Sequence, residues 1–199
     1  NGVWMNANSI TNGPAAQRGT YAGTVRSDGS ATIDWEIGGA ASGGDPIFLG
    51  LWNAYNKVLF SGINQETADS WTTTNTTMHP FNTGGVGSGL NNRASFVRGL
   101  DEESVYCDFR VTAYTSVASN GGVGIGLNST TANSAQIQAN GTFSDTFLIP
   151  WSAVYDTRPG LGFHYLQALE QATASGTTTY GGDFGTTFIK CGINFRSRY

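Results

Sequence analysis

The stretch VYCDFRVTAY, residues 105–114, alternates without a break. Val105, Cys107, Phe109 and Val111 fall on one side of an extended chain and Tyr106, Asp108, Arg110 and Thr112 on the other, the period of an antiparallel strand with one buried face. The same pattern returns at Ile189, Cys191, Ile193 and Phe195 near the end of the chain. About 85 of the 199 residues are Gly, Ser, Thr or Asn, with 5 Trp, 8 Tyr and 11 Phe as apolar anchors and only 12% charged residues. Turn formers and large rings in that proportion describe short strands joined by many turns. The fold class expected is all-β, an antiparallel two-sheet sandwich of jelly-roll type with eight to ten strands. No repeat with a period of about 20–50 residues is visible, which argues against a β-helix or a propeller.

Working outward, residues 1–19 read as an arm or the end of a stalk, and residues 20–199 as one sandwich domain. Asp28-Gly29 stands between two alternating runs and predicts a tight hairpin. Ile33, Trp35 and Ile37 are expected inside, and Thr32, Asp34 and Glu36 outside. The run IFLGLWNAYNKVLF (47–60) is too long for one flat strand and is expected to bend at Gly50 and the WNAYN segment. Gly121 to Asn128 interleaves Val123, Ile125 and Leu127 with glycines, so one face is apolar and the other admits a neighbouring backbone. TFSDTFLIPW (142–151) reads as a strand ending at Pro150. GLGFHYLQALEQA (160–172) has good helical propensity in its second half, yet Phe163, Tyr165 and the TTTY run at 177–180 favour a strand and hairpin.

With a net charge of −4 and ten Lys and Arg scattered along the chain, no basic stripe is present to bind nucleic acid. No apolar run is long enough to span a bilayer, and no signal peptide is recognisable. The chain opens on Asn1 rather than Met, which reads as part of something longer.

Chemistry-bearing residues are sparse. Cys107 and Cys191 continue apolar strand faces and read as reduced buried thiols, with a bridge between core strands as the alternative. Asp34 and Glu36, about 7 Å apart on one strand face, with Asp108 as a cross-strand neighbour, are the candidate pair for glycoside cleavage. Outward acids are more simply the solvated half of an alternation, so no catalytic residue is assigned. Asp101-Glu102-Glu103 reads as a solvated turn rather than a calcium loop. The two His and two Cys carry no zinc spacing, and neither metal nor cofactor is expected. His164, on the face opposite Phe163 and Tyr165, reads as a hydrogen-bonded surface or interface histidine rather than a general base. Trp52, Asn53, Tyr55 and Asn56 combine aromatic faces with amides, as sugar recognition requires, although a Trp in such a chain equally fills the core. The sequons at Asn75, Asn128 and Asn140 are what an Asn- and Thr-rich chain yields by chance.

Several stretches, GTVRSDGSATIDWEIGG (23–39), FLGLWNAYNKV (48–58), DSW (69–71) with SFVRGLDEESV (95–105), GIGLNSTTA (124–132) and PGLGFHYLQALE (159–170), resemble a domain found in tailed-phage virion proteins. The resemblance spans about residues 20–182 and rests on motifs that shape a fold. It implies a non-enzymatic fibre or spike head, located in the virion and serving surface display or host attachment. The partners it implies are two further copies in a homotrimer, other virion proteins and a host surface glycan. A capsid-decorating protein and a free carbohydrate-binding module are the alternatives.

Overall fold

The computed structural model describes residues 5–27, 30, 32–33, 35–82, 92–101, 103–117, 119–135, 137–138, 140–143, 147–172 and 176–199. Among them there is no helix, and seventeen strands follow one another. The first eight are β1 (Gly23–Val25), β2 (Trp35–Ile37), β3 (Ala40–Ala41), β4 (Ile47–Leu49), β5 (Leu51–Asn53), β6 (Leu59–Glu66), β7 (Ser70–Thr73) and β8 (His79–Pro80). Then come β9 (Arg93–Arg98), β10 (Val105–Thr115), β11 (Ser119–Leu127), β12 (Ile137–Gln138) and β13 (Asn140–Phe143). The last four are β14 (Ile149–Thr157), β15 (Gly162–Gln171), β16 (Thr178–Gly181) and β17 (Cys191–Arg198).

Two sheets make the sandwich. The larger runs β12-β14-β10-β17-β6-β3, with β16 beside β10 and β7 beside β16. The smaller runs β13-β11-β15-β9-β4-β2, with β8 beside β15. From β9 to β16 each successive strand lies in the sheet opposite its predecessor, the crossing-over that makes the fold jelly-roll-like. Pairing is antiparallel throughout these sheets except for β3 with β6 and β4 with β9. The strand count exceeds the eight to ten expected because several pieces are only two to four residues long.

The core is what the alternation of 105–114 predicts. Cys107, Phe109 and Ala113 from β10 are wholly buried with Val123 and Ile125 from β11, Leu166 and Ala168 from β15, and Phe195 from β17. β15 is a strand, as its aromatic half indicated, and its alternation buries His164 while turning Phe163 and Tyr165 outward. The 47–60 run divides at Gly50 and at residues 54–58 into β4, β5 and β6, so a single apolar stretch serves three different sheets. On β11, a side chain at Gly126 would run into the Ser129 carbonyl, and one at Gly124 would meet the Asn133 amide at 2.6 Å. The backbone that uses this glycine face is the chain's own loop.

Three expectations need correction. Ile33, Trp35 and Ile37 are 49%, 41% and 60% exposed: β2 is a three-residue strand at the rim of its sheet, Trp35 meets Phe60 of the opposite sheet from that rim, and Ile33 precedes the strand. The tight turn expected at Asp28-Gly29 lies outside the described residues; among those described, Ser27 and Ile33 form an antiparallel bridge across it, β1 pairs with β5 and β2 with β4. β14 does not end at Pro150 but runs through it, with the proline at the strand's second position, where a missing N–H is tolerated. Residues 6–19 do not extend as an arm within this fold. Asn6 closes them into a loop, donating to the carbonyls of Asn8 (2.7 Å) and Ala15 (2.9 Å) and accepting from the Gly19 N–H (2.7 Å).

Cys107 and Cys191 are free and buried, and burial pushes both thiols up from their ordinary value. Cys107 lies opposite Phe195 on the neighbouring strand. Cys191 is therefore about 13 Å further along, beyond the reach of a disulfide.

Candidate functional site

The outer face of the smaller sheet carries a cleft of about 630 Å³. One rung builds its floor: Glu36 on β2 pairs with Phe48 on β4, Phe48 with Ser95 on β9, and Ser95 with Tyr165 on β15. Phe163 stands one outward position from Tyr165, and Arg93 one from Ser95, so the four strands present alternating side chains to a common surface. Phe48 and Phe163 stack with centroids 5.8 Å apart. Over them lies Arg26, its guanidinium carbon 3.4 Å from the Phe163 centroid and 5.5 Å from that of Phe48. Arg93 repeats the arrangement 4.1 Å above Tyr165, its Nε–H donating to Gln167 Oε1 at 2.8 Å. Partial burial lowers the Arg93 guanidinium from its ordinary value, and Tyr165 opposes the shift. Trp35, Ser27 and Pro46 complete the wall. Among the described residues neither arginine forms an ion pair.

A second polar cluster sits on the inner side of the same sheet. Glu170 is 1% exposed and accepts from Trp71 Nε1 at 2.8 Å and from His79 Nε2 at 3.1 Å. The other ring nitrogen of His79 faces the Thr77 carbonyl at 3.0 Å. Two acceptors facing two ring nitrogens favour the imidazolium. The hydrogen bond to Glu170 accordingly raises the His79 pKa above its ordinary value, helped by the Thr77 carbonyl and the Glu170 charge and opposed by burial. The sign for stability follows. A raised folded pKa contributes stability that is fully present below the unfolded value of about 6.5 and is lost as pH rises through the folded one. The melting temperature is expected to fall on passing upward through that window, and His79→Gln to flatten the slope. Equal slopes in the two proteins would refute the assignment. The dyad is walled by Trp71, Phe81 and Tyr180 in edge and stacked contacts, so its role is to join β7, β8 and β15.

The residues singled out in the sequence do not converge. Trp52 is 2% exposed, stacked on Tyr21 at 6.1 Å with Lys57 above it, and offers no open ring to a sugar. Asn53 Oδ1 accepts from the N–H groups of Tyr55 (2.9 Å) and Asn56 (3.2 Å), closing a turn that leaves Tyr55 as the one exposed ring of the four. Trp52 thus lies under its neighbours, while Tyr55 and Asn56 stay exposed on the turn. Asp34 lies outside the described residues. Glu36 and Asp108 occupy opposite outer faces of the sandwich, since Asp108 follows the buried Cys107 on β10, and Asp108 holds Arg110 at 2.7 Å. No single bond can lie between them, because packed sheets are about 10 Å apart. Glu103 pairs with Lys57 at 3.5 Å and Arg198 at 3.9 Å, and its carbonyl accepts from the buried Arg98; Glu102 lies outside the described residues. His164 is hydrogen-bonded, as expected, but buried rather than at the surface, between the Asn128 amide at 2.9 Å and the Leu161 carbonyl at 3.2 Å. Among the described residues no three His, Cys, Asp or Glu side chains gather as a metal site.

Arg26, Phe48, Arg93 and Phe163 were not legible as a site. The outward half of each strand could be read, and Phe163 and Tyr165 were placed on one face, but nothing local says that β15 pairs with β9 or that β9 lies beside β4. The chain matches no family model and no curated protein.

Proposed function

We propose that this chain is a non-catalytic virion module of the fibre or spike-head kind, which attaches to a host surface glycan through the outer-face cleft. The observation that carries the reading is the cleft itself, a recess of about 630 Å³ in which Arg26 and Arg93 stand over Phe163 and Tyr165 as donors to a sugar's hydroxyls. The separation of Glu36 from Asp108 supports a binding role over cleavage. An exposed apolar edge suits association with further copies of the chain. Leu59 (65% exposed) and Ile63 (51%) point outward from β6, and Gly38, next to the exposed Ile37, packs on the Ile63 carbonyl.

Incubated with host surface polysaccharide, the purified chain is expected to bind and to release no oligosaccharide. Phe163→Ala is expected to weaken binding at least tenfold with the melting temperature kept within a few degrees. Sustained release of sugar, abolished by Glu36→Gln, would make the domain an enzyme. Binding untouched by Phe163→Ala would remove the cleft from the account. Light scattering of the same preparation tests the trimer, and a monomer at every accessible concentration counts against it.

A further inference from the structure

The glycan reading above leaves the chemistry of the ligand open, and two features of the cleft narrow it. The first is how the arginines are held. A guanidinium lying flat on a ring satisfies its charge against the π-face, while its N–H groups lie in its own plane and point sideways. For Arg26 the described residues supply no carboxylate within ion-pair distance, and the side chain borders the cleft. For Arg93 the Gln167 amide takes Nε–H and leaves the terminal nitrogens. Both guanidinium groups are therefore placed over their rings before any ligand arrives, so that an anionic acceptor is bound with less loss of side-chain freedom.

The second feature is charge. The chain as a whole carries a net charge of −4, yet among the described residues this cleft collects two guanidinium groups against the one carboxylate of Glu36. A locally cationic recess on an anionic protein repels little that is neutral and selects what is negative. A bare inorganic anion would leave most of a recess of about 630 Å³ unfilled.

We infer that the cleft takes an acidic saccharide, with its carboxylate received by Arg26 and Arg93 where they lie over Phe163 and Tyr165. Glu36 disfavours a second negative group close to the first. This rests on the glycan reading of the preceding subsection and adds the class of sugar.

The test uses the whole chain and a carboxylated oligosaccharide, a glucuronate-containing tetrasaccharide, beside the same oligosaccharide with its carboxylates reduced to alcohols. Calorimetric titration is expected to show binding of the acid form at least tenfold tighter than the reduced one. Arg26→Gln should remove that preference with little change in melting temperature, because Arg26 lies on the surface and anchors nothing else. Arg26→Lys, which keeps the charge and loses the fork, should recover only part of it. Arg93→Gln provides a second arm in case the Phe163 side repacks. Equal affinity for the two forms, lost in Phe163→Ala but not in Arg26→Gln, would overturn the acidic-sugar inference and leave the glycan reading standing. Binding of neither form, nor of whole host polysaccharide, would overturn both.

Discussion

Replacing Glu66 by alanine is expected to cost on the order of 5 kcal/mol, a large share of the roughly 5–15 kcal/mol that holds a domain folded. Glu66 is 1% exposed at the end of β6. Its Oε1 accepts from the N–H groups of Gly43 at 2.7 Å and Ala68 at 2.8 Å. Its Oε2 accepts from the side-chain amides of Asn82 at 2.9 Å and Asn92 at 3.3 Å. One carboxylate thus ties a loop before β4, the turn after β6 and the residues following β8 and preceding β9 to a single point. Each donor left bare in a dry interior costs about 1–3 kcal/mol. Glu66→Gln should be intermediate, since its oxygen can serve two of the four donors while its NH₂ group faces the other two. Urea denaturation decides it: with a slope of about 1–3 kcal/mol per molar, Glu66→Ala should lower the midpoint by roughly 2 M or more. A midpoint near that of the parent protein would mean that water replaces the carboxylate, and the anchoring role would fall.

Glu66 also marks where sequence reading stops. The alternation of β6 puts Phe60, Gly62, Asn64 and Glu66 on the inward side, but hydrophobic periodicity treats an inward Asn or Glu as an interruption. Its partners Asn82 and Asn92 are 16 and 26 residues away, and no local rule connects them. The long strands were legible because their pattern is local: β10, β15 and β17 each repeat every second residue, and the solvent on one side and the core on the other enforce it. Short edge strands carry no such constraint. With β2 at the rim of its sheet, Ile33, Trp35 and Ile37 satisfy the pattern of a buried face while staying half exposed. The cleft was hidden for a third reason, that it is a property of register. Glu36, Phe48, Ser95 and Tyr165 form one rung only after three strand pairings are known, and two of those pairings join segments far apart in the chain.

The difference between the two kinds of strand can be measured on two rings. Phe109 is fully buried at the centre of β10, its ring 4.6 Å from that of Phe81 at 77°. Phe109→Ala removes the transfer term and leaves a cavity between two sheets that cannot collapse toward each other without moving their other contacts. A loss of about 3–5 kcal/mol is expected. Trp35 is the larger ring, and from the alternation of ATIDWEI alone its removal should cost as much. In the fold it is 41% exposed, touching Tyr199 at 4.9 Å and Phe60 at 6.1 Å from the rim. Solvent already covers part of the ring and enters freely when it is removed, so no closed cavity remains. Trp35→Ala should therefore cost about 2 kcal/mol or less, close to its share of area burial alone. Thermal and urea unfolding of the two variants side by side settle the order. If Trp35→Ala destabilised the protein as much as Phe109→Ala, β2 would have to be covered by another layer in solution, and the rim position of its ring would have no basis.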